Sequence, residues 1–339
     1  MTGGTKTNAR RAPPAHGPGG ITMLHIESAG VSTTDRARKR SGTVATVLAA
    51  AVVGLLPGTG VAQQPTQRTF ASPDEASESL FVAVQSDNVP ALRALFGPAA
   101  DEVIASGDSA EDAKERAHFV RKYQEMHRLA KDSAGTTIIY VGAENWPLPI
   151  PLVQADGGWR FDTEAGVDEI RVRRIGRNEL AAIRVCHALV DAERDYYATS
   201  HDGSAVRSYA SRIVSDSGTE DGLYWRSSGD EPSSPIGPLL AGAAAGAGAA
   251  PFHGYYYGLL TRQGASAHGG AKAYVINGKL RGGFAVVAFP ADYQSSGVMT
   301  FIVNQADSVY QKDLGPNTAA LARDLGAFDP DSTWRRAEP

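Results

Sequence analysis

The sequence predicts an α+β protein: a helical-plus-hairpin N-terminal part, then one long helix packed on an antiparallel β-sheet. Three observations carry this. Helical periods crowd residues 72–131, Ile175 to Ser200 holds the longest helical pattern, and the last third breaks into short β-branched and aromatic runs punctuated by Gly, Pro and Asn.

Before these elements comes a leader. Arg36, Arg38, Lys39 and Arg40 form a basic flank, Thr43 to Leu56 is apolar, and Gly60-Val61-Ala62 gives a small-x-small pattern. The apolar run fits a signal-peptide core, which spans roughly 7–15 residues. It falls short of the roughly 20 apolar residues of a spanning helix. The expected protein is secreted or periplasmic, cleaved near Ala62, with no stable membrane span afterwards. Residues 1–22 are rich in Pro and Gly, and Met23 offers an alternative start. The expected organisation is a leader and signal peptide over 1–62, a tether over 63–71, an α+β domain over 72–174, a second α+β domain over 175–330 and a tail over 331–339.

A hydrophobic content of 42% allows an ordinary core, and a net charge of −4 provides no general attraction to nucleic acid or anionic lipid. Cys186 is the only cysteine, so no internal disulfide forms, and its helical setting predicts a half-buried, inert thiol.

Ser72-Pro73-Asp74-Glu75 reads as a helix start, with Ser72 as cap, Pro73 in the first turn and Glu75 placed for a capping box. Val89 to Phe96 is a second helix, stopped by Gly97-Pro98. Ser109 to Lys131 reads as a third, with Ala113, Ala117, Val120 and Tyr123 on its apolar side. Thr136 to Val141 is a strand. Trp146 to Val153 carries three prolines in an apolar run, which places it on a sheet edge or in an extended crossing. Asp156-Gly157-Gly158 is a turn leading into the strand Trp159 to Asp162.

The long helix has Leu180, Ile183, Ala188, Val190 and Tyr197 on its apolar side. Ser215 to Gly237 is a polar loop region, and Leu240 to Ala250 reads as a mobile loop with a weak helical turn. Strands are expected over Gly254 to Leu260, Ala271 to Ile276, Gly283 to Phe289 and Gly297 to Asn304, with Ser308 to Lys312 closing the sheet. Asn277-Gly278 is the strongest hairpin signal, and Asp329-Pro330-Asp331 ends the ordered part.

Several long strings resemble the bacterial family catalogued as domain of unknown function 2950. They are Trp146 to Val153, Gly158 to Thr163, Arg173 to Leu180, Asp221 to Trp225, Phe252 to Tyr255 and Ser296 to Phe301. The resemblance covers essentially the whole chain after the leader and brings no activity with it. From Asn178 onward the order of elements is also similar to the globular part of type IV pilins and pseudopilins: Asn-Glu-x-x-Ala-Ile, a helix ending in Tyr196-Tyr197, Tyr209-Ala210, then the Gly-Tyr strand and the strands around Phe284 to Phe289 and Gly297 to Val303. That likeness implies a pilin-like fold for 175–330. Pilins place their polymerising helix directly before this segment, whereas residues 72–174 intervene here, so filament assembly does not follow. Residues 70–174 faintly resemble cone-shaped domains of the nuclear transport factor 2 type.

The chemistry-bearing motifs are few. There is no H-E-x-x-H, no Walker glycine loop and no paired-cysteine site, so no cofactor is expected. Gly264-Ala265-Ser266-Ala267-His268 begins like a nucleophile elbow, but His268 occupies the last glycine position. His253 and His268 flank a hairpin candidate and are either loop residues or two ligands in want of a third. His118 and His127 fall on opposite sides of one predicted helix. Asp162 and Glu164 beside Trp159 are either helix-capping residues or carboxylates in an apolar pocket. Arg171, Arg173, Arg174 and Arg177 pair with nearby acids, or bind an anion.

The aromatic group Tyr224, Trp225, Phe252, Tyr255, Tyr256 and Tyr257, with His253, is the candidate recognition surface; strand alternation would turn Tyr255 and Tyr257 inward and Tyr256 outward. The expected function is a non-enzymatic envelope or extracellular protein that binds an envelope protein or glycan and no nucleic acid. The alternative is a small-molecule-binding or hydrolytic module in the first domain, centred on Trp146, Trp159 and Asp162.

Overall fold

A computed structural model describes residues 67–337 apart from 106–108, 134, 156, 202, 204, 228–232 and 247. The leader from Arg36 to Gln63 lies outside the described residues. The chain is α+β, as the sequence predicts. It forms two compact units, and the division falls between Ile170 and Arg171, inside one helix.

The first unit opens with helices α1 (Pro73–Gln85), α2 (Val89–Phe96), α3 (Ala100–Ile104) and α4 (Ser109–Glu125). The Ser72 hydroxyl accepts from the Glu75 N–H at 3.1 Å, and the Glu75 carboxylate accepts from the Ala71 N–H at 3.0 Å, one residue before the cap. Strands β1 (His127–Lys131), β2 (Thr137–Val141), β3 (Trp146–Pro147), β4 (Leu152–Ala155) and β5 (Gly158–Phe161) build an antiparallel sheet in the order β1-β2-β4-β5, with β3 also on β2. Helix α5 (Thr163–Ala198) follows.

The expected third helix overran. Its last residues are strand β1, paired along its length with β2. The carbonyls of Lys122 and Met126 both accept from the Gly142 N–H, at 3.0 and 2.8 Å, so the helix is capped by the sheet itself. Long-range pairing overrides local helical preference here. His118 and His127 therefore sit on different elements, and His127 stacks on Tyr123 at 3.9 Å. The expected tether is already engaged at Gln67, whose amide donates to the carbonyls of Leu95 and Phe161.

In the proline-rich run the prolines alternate with Leu148, Ile150 and Leu152, which all point into the core. The core also contains Leu80, Phe96, Phe119, Ile139 and Phe161, each nearly or fully buried. Burying one such side chain stabilises the fold by roughly 1.5–3 kcal/mol. Gly166 lets α5 lie against this run, because a Cβ there would overlap the Ile150 side chain.

In the second unit, strands β6 (Arg212–Val214) and β7 (Gly222–Tyr224) pair in parallel, and α6 (Pro238–Ala241) follows. Then come β8 (Tyr255–Leu260), β9 (Arg262–Gln263), β10 (Lys272–Ala273), β11 (Val275–Ile276), β12 (Lys279–Leu280), β13 (Ala285–Pro290), β14 (Met299–Asn304), β15 (Tyr310–Asp313), α7 (Thr318–Arg323) and β16 (Arg335–Arg336). The main sheet is antiparallel, in the order β16-β15-β14-β13-β8. Asn277 and Gly278 join β11 to β12 with φ of 51° and 75°, the left-handed pair that a tight hairpin requires.

Helix α5 begins twelve residues earlier than the expected Ile175. Asp162 caps it, accepting from the Ala165 N–H at 3.3 Å, so this residue is a helix start. Its buried ridge runs through Ala182, Cys186, Leu189 and Val190, while Ala188, placed on the apolar side by the sequence, is exposed. Cys186 is fully buried, and burial pushes its thiol up to about 12, which keeps it protonated and unreactive.

The ridge packs on Tyr255, Tyr257, Val286, Ala288, Phe301 and Val303 of the sheet. The opposite face is covered too: Leu260, Val287, Phe289 and Ile302 pack with Tyr274, Phe328, Trp334 and Ala322 of α7. The expected all-strand last third thus includes a helix. The expected tail includes β16, and Trp334 is only 9% exposed. The small-residue run read as a mobile loop is laced to edge strand β8, Ala245 N–H to Tyr257 O at 2.7 Å and Tyr257 N–H to Ala243 O at 2.9 Å. Its small side chains allow the backbone that close, and the contact covers the sheet edge.

One polar clamp joins helix to sheet. A single oxygen of Glu179 accepts from the N–H groups of Val298 and Met299, at 2.9 and 3.0 Å. Asn178 donates to Ser296 O at 2.8 Å, Arg174 to Ser295 O at 3.1 Å, and the Tyr255 hydroxyl to Met299 O at 2.9 Å. Gly297 and Gly254 are required there, because a Cβ would overlap Tyr255 and Asn178 respectively.

Two stability changes are expected. Gly166→Ala adds helix preference worth about 1 kcal/mol but overpacks against Ile150 at a cost of about 1–3 kcal/mol, so denaturant unfolding should show a net loss. Adding Ile150→Ala should then cost less than the two single losses summed. Glu179→Ala strands two backbone donors and should lose about 2–3 kcal/mol, whereas Glu179→Gln, which keeps an acceptor, should lose less than half of that.

Candidate functional site

The last turn of α5 meets three other segments of the second unit around a cleft of about 660 Å³. Residues 206–212 form one wall, 218–221 another, and the β11–β12 hairpin from Gly278 to Leu280 a third. A polar strap sets the first wall. The backbone N–H groups of Tyr209, Ala210 and Ser211 donate in turn to Leu280 O (2.8 Å), the Glu193 carboxyl (2.9 Å) and Asp221 O (3.0 Å). Three consecutive donors therefore tie the strap to hairpin, helix and strand.

Glu193 is the unusual group. It is fully buried on the α5 ridge; one oxygen takes the Ala210 N–H and the other has no hydrogen-bond partner among the described residues. Burial pushes its carboxyl up to about 8, against the smaller opposing effect of the Ala210 bond. At neutral pH it is mainly the neutral acid. Sequence reasoning passed over it, although a carboxylate in register with Cys186, Leu189 and Val190 is itself a signal.

The charged groups lining the cleft are largely closed on one another. The His201 ring stacks on Tyr196 at 4.0 Å, with Nδ1 3.0 Å from the Glu220 carboxylate and Nε2 3.1 Å from Tyr196 O. Both ring nitrogens lie against oxygen atoms of the chain, so neither is open to a ligand. The Tyr196 hydroxyl donates to Glu220 O at 2.5 Å; burial first, then nearby carboxylates, push its phenol up to about 12. Arg212 pairs with Asp216 at 2.6 Å and Asp221 at 3.0 Å. Burial works against the Asp221 charge, but the Thr219 hydroxyl, the Asp216 N–H and Arg212 outweigh it and hold that carboxyl below the usual range.

Of the residues the sequence singled out, Trp225 stands 5.4 Å from the His201 ring but is only 9% exposed. Tyr224 is half-buried on β7. Tyr255 and Tyr257 are fully buried against α5, while Tyr256 is half-buried on the other face beside Phe289. His253 is exposed, with φ of 50°, next to Phe252. These aromatics do not gather on an open sheet face.

In the first unit Trp146 pairs with Val141 at one end of β2, and Trp159 stands on β5, beyond β4, which meets the other end of β2 at Thr137. The two tryptophans and Asp162 are not brought to one pocket. A hollow of about 450 Å³ between α1 and α4 contains Arg116, which Asp87 closes at 2.8 Å. Ser266 lies in a turn, its N–H held by Asp329 at 2.8 Å, with no strand-turn-helix around it. Among the described residues no three His, Cys, Asp or Glu are grouped to hold a metal, and no helix is long and apolar enough to cross a membrane.

The family described as "Protein of unknown function (DUF2950)" matches residues 67–337. The chain belongs to the DUF2950 family. No curated protein and no solved structure matches it. Several strings that carry the family likeness converge on the clamp: Arg174, Asn178 and Glu179 from one, Gly254 and Tyr255 from another, and Ser296 to Met299 from a third. A further string, from Asp221 to Trp225, borders the cleft.

Glu193 makes stability fall with pH. Between the ordinary carboxyl value of 4.5 and about 8, the folded state keeps a proton that the unfolded chain has released. Stability due to this group is complete below that window and lost as pH rises through it, by an amount on the order of 5 kcal/mol. Glu193→Gln should match the wild type in urea unfolding near about pH 5 and exceed it near about pH 8.5. An equal pH slope in both proteins would refute the buried neutral acid.

Proposed function

We propose that this DUF2950 protein is an exported, non-enzymatic binding protein, and that the cleft at the end of α5 is its ligand site. The carrying observation is that His201, Asp221 and Tyr196 of the cleft are held by other groups of the chain. His201 is used on both nitrogens, Asp221 and Arg212 hold each other, and Tyr196 is committed to Glu220. A general base needs a free lone pair within reach of its proton, and neither His201 nor Asp221 offers one. Binding requires only shape and donors, and a cleft of about 660 Å³ is within the range that holds small ligands.

Export is supported by the basic, apolar and small-residue succession from Arg36 to Ala62. A long helix laid on an antiparallel sheet supports a pilin-like architecture for the second unit. The alternative, a hydrolytic pocket in the first unit, draws little support from an interior filled by Leu80, Phe96, Phe119, Ile139 and Phe161.

The test has two parts. Expressed with its own leader in a bacterium, the protein should appear outside the cytosol with Gln63 as its first residue; an intact leader on cytosolic protein would overturn export. A thermal-shift screen of soluble envelope metabolites should give stabilising compounds that lose their effect in the cleft-blocking variant Ser208→Trp. Mass spectrometry should recover each bound compound unchanged, and a converted compound would overturn the non-enzymatic assignment.

A further inference from the structure

The cleft also carries information about what it takes. Its aromatic faces are already occupied: Tyr196 is covered by His201, and Tyr209 is stacked on Tyr197 at 4.6 Å and packed on Phe284 at 4.8 Å. Stacking of a neutral sugar on these rings is therefore not available. Its carboxylates are also committed, Glu220 to His201 and Asp221 to Arg212, Thr219 and the Asp216 N–H. A cationic ligand would have to break pairs to be held.

The positive side differs. The cleft wall carries Arg207, Arg212 and Lys279 against the two carboxylates of Glu220 and Asp221. This local excess stands on a chain whose net charge is −4, so it is not a reflection of overall composition. Arg207 is exposed on the wall, and no described carboxylate closes on it. Beside it Ser208 offers a hydroxyl to the same space, and Ser200 and Thr199 line the facing end of α5. A guanidinium presents a planar fork that matches a carboxylate or phosphate with two parallel hydrogen bonds.

We propose that the cleft binds a small hydroxylated anion, a carboxylate or phosphate carried on a sugar-like frame, and that Arg207 is the residue that reads the anion. This assignment rests on the cleft being the ligand site. The hydroxyls of Ser208 and Thr199 face the frame, and the Arg207 fork takes its acidic group. The pairs Arg212–Asp221 and His201–Glu220 hold the walls apart.

Calorimetric titration of the purified mature protein with D-glucuronate, glucose 6-phosphate, inorganic phosphate and glucose tests this. At least one acidic sugar should bind about tenfold or more tightly than glucose, the difference one charge-assisted pair supplies. Preference for glucuronate identifies a carboxylate, and preference for glucose 6-phosphate a phosphate. Arg207→Ala should erase the preference, and Arg207→Lys, which keeps charge but not the fork, should recover only part of it. Both variants should melt with the wild type, because the side chain is exposed.

Glucose bound as tightly as the acids would overturn the anion assignment while leaving the cleft as a ligand site. Inorganic phosphate bound as tightly as glucose 6-phosphate would overturn the sugar-like frame. Failure of all four probes overturns this inference, and the metabolite screen with Ser208→Trp then decides the cleft on its own. An acidic preference that survives in Arg207→Ala removes Arg207 from the site.

Discussion

The carboxylate of Glu179 anchors the long helix of the second unit at the start of β14. One oxygen accepting two consecutive backbone N–H groups defines both position and rotation of the helix over the sheet. Apolar packing alone is non-directional and would tolerate a slide along the ridge. With Asn178 and Arg174 bonded to the same loop, the register is set within a single helical turn or so. From Glu179 the helix runs on for seventeen residues to Tyr196, about 25 Å at the α-helical rise. A fixed start therefore places the cleft at its end.

The second consequence concerns the sheet. All six residues of β13 are buried, and β8 places Tyr255 and Tyr257 against α5 and Tyr256 against Phe289. A sheet covered on both faces is an interior layer. Tyr255 and Tyr257 are core side chains whose hydroxyls donate to the carbonyls of Met299 and Phe252, which satisfies the polar end that burial would otherwise strand. Polar groups accessible to a ligand gather instead where regular structure ends and backbone donors need side-chain or loop partners. In this unit that is the strap from Ser208 to Ser211 and the turn from Gly218 to Asp221.

Features decided within a few residues were legible in the sequence. Asn277-Gly278 makes its hairpin, Ser72 and Pro73 start α1, and Gly157 turns β4 into β5, because each depends on local backbone chemistry. Features decided by a distant partner were not. The residues His127 to Lys131 look helical until β2 is alongside, Arg335 and Arg336 look like a tail until β15 is, and Ala243 to Ala245 look mobile until β8 is. The start of α5 was missed too; Gly166 in its first turn makes room for Ile150, a partner distant in sequence. The cleft was invisible because it combines four segments spread over 85 residues, from Tyr196 to Leu280. Glu193 alone left a trace, as an acid in the apolar register.

The residues that clamp helix to sheet and the residue proposed to read the ligand are different. Arg174, Asn178, Glu179, Gly254, Gly297 and Tyr255 form the clamp, and a substitution at any of them disturbs the joint between helix and sheet. Arg207 lies in none of the strings that carry the likeness; it is exposed on a strap whose backbone bonds do not depend on its side chain. Changing Arg207 would alter the charge of the cleft at almost no structural cost. A scaffold fixed by one set of residues and a cleft tuned by another permits different ligands on one fold. The clamp therefore fixes the architecture of the cleft, and the exposed Arg207 side chain its charge.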